Sequence, residues 1–260
     1  RQMKSFLYDV AIIGGGPAGM MAAGTAAQNG AKTVLIEKNE FLARKLLMTG
    51  KGRCNITNAE FNLKQFIKEY GKEGGFLLTP FSKFGPKETI EFFEKKGLKT
   101  KTERGKRVFP QTDRAKDVLS VLIKYLKNSG ADVLTGLAVE KITKRQNRIE
   151  KIVLQDGKEI KAKTYILCTG GKSYPQTGST GQGLQWAKDL GHTIIEPEPA
   201  LVPIKIKDDW PKEAQGLSLK NVGLEAWQNG KRRDKRFGEM LFTHFGISGP
   251  IVLDMSKKVG

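Results

Sequence analysis

The sequence predicts an α/β fold of three layers built on a parallel sheet, with a smaller β-rich unit after it. Three observations carry this expectation. An apolar run, a glycine-rich turn, a small-residue helix and a second apolar strand fill the first forty residues. From there to about residue 190, helical periodicity and strand-like runs alternate. Beyond Glu196-Pro197-Glu198-Pro199 the chain changes to short β-like segments. That change puts a boundary near residue 195 and two domains at 1–195 and 196–260.

The opening unit is the most informative. Leu7 to Ile13 reads as a strand, Gly14-Gly15-Gly16-Pro17-Ala18-Gly19 as the turn, and the helix runs to Asn29 with Gly30 as its stop. Thr33 to Ile36 leads to Glu37, eighteen residues after Gly19, and then Lys38. This is G-x-G-x-x-G between a strand and a helix, the Rossmann-like context the motif requires. Gly14 allows the tight turn, Gly16 lets backbone approach a pyrophosphate, and Gly19 permits close helix–strand packing. The helix N-terminus offers unpaired N–H groups and the positive end of its dipole to phosphates. Glu37 can accept hydrogen bonds from a ribose, and its charge repels a 2′-phosphate.

Phe41 to Asn58 is a short basic loop, and residues 59 to 129 read as helical. One helix has Pro86 in its first turn and ends at Gly97. A second runs from Arg114 to Ser129, with Val118, Leu119, Leu122, Ile123 and Leu126 on one face and Gly130 as its stop. Strands are expected at 132–142, 148–154 and 159–168, the last two joined by a hairpin turn at Gln155-Asp156-Gly157. A second glycine-rich stretch, 169–181, leads to a helix over 182–190. Its G-x-x-G-x-G at 178–183 is not the dinucleotide fingerprint, so one nucleotide fold is expected. Leu201 to Ile206 and Leu217 to Trp227 read as strands of the second domain.

No apolar stretch is long enough for a transmembrane helix, and no signal-peptide core is evident. Arg1 and Gln2 ahead of Met3 read as residues added before a start methionine. Two cysteines, Cys54 and Cys168, make no disulfide framework or paired metal spacing, which points to a reducing cytoplasm and no metal. Forty-five Lys and Arg against 27 acids give a formal net charge of +18. Nucleic acid therefore has to be weighed as a partner. The densest run, Lys231-Arg232-Arg233-Asp234-Lys235-Arg236, follows the turn pair Asn229-Gly230, and an exposed hairpin tip is the preferred reading.

Four segments, in order, resemble the bacterial BaiN-like or aminoacetone-oxidase-like flavoproteins, a branch of the glutathione-reductase-type FAD folds. They are VAIIGGGPAGMMAA at 10–23, KLLMTGKGRCNITN at 45–58, LCTGGKSYPQTGSTGQG at 167–183 and LFTHFGISGP at 241–250. The resemblance implies FAD on the first domain. Gly14, Gly16 and Gly19 would lie at the pyrophosphate, with Glu37 at the ribose. Gly50, Arg53, Cys54 and Asn55 would lie toward the flavin, with Val139 near the adenine and Thr169, Gly170 and Gly171 along the cofactor; Pro17, Ala18, Lys38 and Lys45 would also bind it. Family members are longer, and their last segment returns to the first domain. This chain ends at Gly260 within what resembles the inserted β-rich domain, so the resemblance implies a truncated chain.

The activity implied is that of an FAD-dependent oxidoreductase moving electrons or hydride between flavin and NAD(P)H or a small organic substrate. Arg53 offers positive charge to a reduced flavin or an acidic substrate. A lone Cys54 reads as structural more readily than as a redox thiol, and Cys168 reads as a core residue. Of the two histidines, His192 follows a helix end, and His244 is the candidate for proton transfer, with a structural role equally open. Two rival readings are a flavoprotein acting on RNA and a nucleotide-binding fragment without catalysis. Oligomeric state is not legible.

Overall fold

The computed structural model describes residues 6–258. Arg1, Gln2 and Met3 at one end and Gly260 at the other lie outside the described residues. The chain divides into two compact units, residues 1–194 and 195–260, each taken by itself below.

The first unit opens with β1 (Phe6–Ile13), α1 (Pro17–Gln28) and β2 (Thr33–Ile36), with β1 and β2 parallel. All four residues of β2 are buried, as expected of a strand covered on both faces. The expected helical stretch 59–129 is corrected. It contains α2 (Leu63–Lys68), α3 (Leu78–Lys83), α4 (Pro86–Lys95) and α5 (Ala115–Ser129), but also two strands of a three-stranded antiparallel sheet. Its strands are β3 (Thr57–Asn58), β4 (Thr100–Glu103) and β5 (Arg107–Pro110), in the order β3-β5-β4. Strands this short leave little alternation to detect between lysine-rich helices. Burial of Val108 and Phe109 holds them in place.

The single strand expected at 132–142 is also corrected. It is two strands, β6 (Asp132–Leu134) and β7 (Val139–Arg145), broken at Gly136 with φ 69°. Then come β8 (Arg148–Leu154), β9 (Glu159–Leu167) and α6 (Gln182–Asp189). The main sheet has the order β6-β2-β1-β9-β8-β7. The link from Leu134 to Val139 is five residues of reach, at most about 18 Å, whereas the outer strands of a flat six-stranded sheet lie roughly 24 Å apart. The β7–β8 end must therefore fold back over the parallel strands, and packing shows that it does. Val139, Ile152, Leu154 and Trp186 cluster on Ile13, Val34 and Ile36. The opposite face is covered by α1 and α5, through Met20, Ala23, Val118, Leu122 and Leu126 against Ile12 and Leu35. The result is three layers around a mainly parallel centre.

The second unit holds β10 (Ile204–Lys205), α7 (Trp210–Glu213), β11 (Ser218–Gln228), β12 (Lys231–Thr243), β13 (Gly246–Ser248) and α8 (Pro250–Ser256). Its sheet is antiparallel, ordered β10-β13-β12-β11, with Met240, Ile247, Ile251 and Val252 as its core. The β11–β12 hairpin turns at Asn229-Gly230, with φ 52° and 70°.

Candidate nucleotide and flavin site

The carboxyl ends of β1, β2 and β9 converge where the strand order changes direction, the usual ligand crevice of such sheets. A cavity of about 590 Å³ opens there, with Ile13, Ile36 and Leu167 at its floor. Gly14, Gly16, Pro17, Ala18, Glu37, Lys38, Lys45, Val139, Thr169 and Gly170 all line it. A second cavity of about 380 Å³ shares Pro17, Ala18, Lys45 and Leu46 with the first and extends over Cys54, Asn55, Phe92 and Phe93.

The glycines of the turn are glycines for different reasons. A Cβ on Gly14 would stand 2.4 Å from the Cys168 carbonyl oxygen, on a backbone at φ 109°. One on Gly15 would meet Leu42 Cδ2 at 2.4 Å, and one on Gly19 the Gly14 carbonyl oxygen at 1.9 Å. Gly16 differs. Its φ of −74° and ψ of 178° suit any residue, and a Cβ there meets nothing within 4 Å. Packing inside the protein therefore explains three of these glycines and leaves Gly16 unexplained. Gly16 is also the N-cap of α1, where a Ser or Asp side chain would bond the first-turn N–H groups itself. A bare N-cap facing a cavity keeps those donors for an incoming anion. The residues present thus fit a pyrophosphate.

Glu37 lies beside this cradle with 8% exposure. One oxygen accepts the Gly15 N–H at 2.6 Å, and the other accepts the Asn39 N–H at 2.8 Å and the Asn39 Nδ2 at 2.6 Å. Of roughly four acceptor sites on a carboxylate, three are occupied, leaving capacity for one ribose hydroxyl. Lys38 reaches across to Thr180 Oγ1 at 3.4 Å. Lys45 stands where the two cavities meet, its Nζ 3.3 Å from Ser173 Oγ, and burial pulls its ammonium below the usual lysine range. Gly171 and Gly19 do not line the cavities but abut residues that do.

The 46–55 loop is braced from within. Thr49 Oγ1 donates to the Leu46 carbonyl at 2.7 Å, and the Cys54 N–H donates to the Thr49 carbonyl at 3.0 Å. The Arg53 guanidinium sits 4.0 Å over the Phe109 ring, 2.9 Å from Glu103 and 3.4 Å from Asp113. Its charge is matched by acids of the antiparallel sheet region, and neither Arg53 nor Gly50 lines either cavity. The Asn55 amide nitrogen turns toward the Thr57 and Val108 carbonyls, at 3.0 and 3.2 Å. Burial pushes the Cys54 thiol up, against a smaller lowering by its hydrogen bond with Thr49. Burial also raises Cys168.

One wall of the site escapes the sequence reading. Thr177, Gly178, Thr180 and Gln182 line the larger cavity, and Gln182 Nε2 donates to the Val139 carbonyl at 3.4 Å. The G-x-x-G-x-G at 178–183 was its signal. Gly183 sits so close to Thr169 that a Cβ would come 2.0 Å from its hydroxyl, seating α6 on the second glycine turn. His244 lies in the second unit, in the exposed turn between β12 and β13, with its ring 4.9 Å edge-on from Phe245.

Sheet order, crevice and glycine cradle define a Rossmann-type FAD-binding fold. The chain belongs to the HI0933-like Rossmann-domain family, whose model matches residues 8–250. It is 33% identical over 96% of its length to the 3-dehydro-bile acid Δ4,6-reductase of Clostridium scindens, covering 60% of that protein. It is 26% identical over 95% of its length to a ribosomal RNA dihydrouridine synthase of Haemophilus influenzae, again covering 60% of the relative. The chain thus spans about 60% of the length of the curated relatives it matches. Among solved structures it resembles a flavocytochrome c3 fumarate reductase, with TM-score 0.61 and 19% identity over 84% of this chain and 47% of that one. It equally resembles the 3-ketosteroid-Δ4-(5α)-dehydrogenase of Rhodococcus jostii RHA1, with TM-score 0.61 and 16% identity over 84% and 60%. Among the described residues, no helix is long and apolar enough to cross a membrane.

Proposed function

We propose that this chain is the FAD-holding part of an oxidoreductase that passes electrons between NAD(P)H or an organic substrate and flavin. The bare cradle at Gly16, opening on the larger cavity beside Glu37, is the observation that carries the reading. Pro17, Ala18 and the α1 N-terminus hold the pyrophosphate, Glu37 and Lys38 the ribose, and Val139 with Gln182 the adenine end. Thr169 and Gly170 line the path between. Bound FAD supplies the two-electron chemistry. Lys45, at the junction of the cavities, would offer a cation to the bound cofactor, and the smaller cavity would offer it a largely apolar wall. The identity with a bile-acid reductase supports an organic substrate with a reducible carbon–carbon bond.

Titration of the purified protein with FAD, ADP and riboflavin tests this. FAD and ADP are expected to compete for one site, with riboflavin weaker than either. Failure of both FAD and ADP to bind at millimolar concentration overturns it.

A second reading, in which the reduced group is a base in RNA, is supported by the match to ribosomal RNA dihydrouridine synthases together with the net charge of +18. Reduction of uridine in a transcript, against reduction of an unsaturated steroid ketone, separates the two.

A further inference from the structure

In the first unit, α2, the short helix at Gly71–Leu77 and α3 form an appendage that packs chiefly on itself. Its inner contact is a trio of rings, Phe66, Tyr70 and Phe81, with centroids 5.0 to 5.7 Å apart. Little else is covered. α2 buries only Ile67, the short helix only Gly74, and α3 buries no residue at all. Outside the trio, Phe76 is 87% exposed, Phe61 62% and Leu78 48%. Phe84, at the base of the appendage, is exposed as well and lines the smaller cavity. The tip is anchored. A Cβ on Gly74 would stand 2.4 Å from the Ile67 carbonyl oxygen, so the turn lies directly on α2 and presents Phe76 beyond it.

Apolar side chains clustered and uncovered in this way mark a surface that meets a partner. Charge decides which partner. Lys64, Lys68, Lys72 and Lys83 are exposed and make no ion pair among the described residues. Against them, Glu69 and Glu73 are the acids between residues 61 and 84. Lys64 and Lys68 lie one turn apart on α2, on a flank away from the stripe of Leu63, Phe66 and Ile67. Protein interfaces disfavour lysine. A bilayer with anionic headgroups takes both features: apolar tips enter the acyl boundary, while long lysine side chains reach up to the phosphates. The net charge of +18 acts in the same sense.

We propose that the appendage at residues 61–84 seats the protein on the surface of an anionic lipid bilayer. Phe76 and Leu78 enter the acyl boundary, and Lys64, Lys68, Lys72 and Lys83 meet headgroup phosphates. The appendage lies on the membrane and does not span it.

Co-sedimentation tests this, with vesicles of phosphatidylcholine alone and of phosphatidylcholine with about one-third phosphatidylglycerol. Binding is expected to the anionic vesicles, weakening with salt. Because a strongly basic chain is drawn to any anionic surface, the deciding variants leave the charge alone. Phe76→Ser with Leu78→Ser is expected to lower vesicle affinity about tenfold or more, the scale of two apolar side chains left in water. Lys68→Gln and Lys72→Gln are each expected to cost about fivefold at low salt. In Phe76→Trp, indole emission is expected to shift to the blue and to be quenched by acyl-brominated lipid beyond any change in the parent. Melting curves confirm that each variant is folded. The proposal is overturned by a parent that binds no vesicles, by Phe76→Ser with Leu78→Ser binding like the parent, or by Phe76→Trp without added quenching. A dimer that the serine variant dissolves, at unchanged vesicle affinity, would give the patch to a second copy of the chain instead.

Discussion

The turn at residues 14–19 and the loop at 49–55 both carry glycines and both lie beside a cavity, yet their polar groups are engaged very differently. In the turn, Glu37 braces Gly15 from one side while Gly16 and the first N–H groups of α1 face open space. In the loop, Arg53, Asn55 and Thr49 are taken up by partners within the protein. The first region is a rigid frame around an unsatisfied centre, which is what a ligand needs. The second is a strut that joins the first cavity's edge to the small antiparallel sheet. The difference teaches that a binding element is recognised by what its neighbours leave unsatisfied, more than by its glycine content.

The largest effect that sharpens this contrast is at Gly16. Gly16→Val is expected to weaken FAD binding by on the order of a hundredfold, about 2.7 kcal/mol, while leaving the melting temperature of the FAD-free protein unchanged. Calorimetric titration beside a thermal melt measures both, and unchanged FAD affinity breaks the assignment. Gly19→Ala inverts the pattern. Its Cβ is driven into the Gly14 carbonyl, so a loss of about 1–3 kcal/mol in stability is expected from overpacking, read by urea unfolding.

Arg53 tests the strut. Arg53→Met is expected to cost about 1 kcal/mol through its half-exposed ion pairs and its stacking on Phe109, with FAD affinity changed less than threefold. A much larger fall in FAD affinity would return Arg53 to the cofactor. This variant has a pH signature. Hydrogen bonding to Lys101 first, then charge from Lys101 and Arg53, holds the Asp113 carboxyl below its ordinary range. A carboxylate depressed in the folded state stabilises above the ordinary carboxylate pKa, and that contribution is lost as pH falls through the depressed value. The parent and Arg53→Met should therefore converge in stability as the solution is acidified below that range. A further effect is kinetic. With both thiols raised by burial, Cys54 and Cys168 should react with a disulfide reagent at pH 8 at least about tenfold more slowly than in urea-unfolded protein. A fast native thiol would make Cys54 chemically active after all.

The opening βαβ unit was legible because each of its signals is local: an apolar run, a turn, a helix and an acid at fixed spacing. The hairpin turn at Asn229-Gly230 was legible for the same reason. What escaped depends on distant partners. The strands at Thr100–Glu103 and Arg107–Pro110 owe their state to burial of Val108 and Phe109 beneath the 46–55 loop and α5. The break at Gly136 follows from the sheet's folding back, which no stretch of eleven residues records. The wall at Thr177–Gln182 was visible as glycines, but its partner Val139 lies forty-three residues away.

The fold-back of β7 and β8 makes the nucleotide cavity a property of the whole first unit. Its wall at Leu137 and Val139 exists only once β9 has found β1, a pairing that joins Phe6 to Ile160. Closing so long a loop is entropically slow, so the cavity is among the last features to form and among the first lost on global opening. A nucleotide bound there stabilises the native state by RT ln(1 + [L]/Kd), and that free energy is shared by every strand whose opening destroys the wall. Amide protons in β1, β2 and β9 should accordingly slow together when ligand is added, so that their exchange reads the nucleotide's affinity from positions that never touch it.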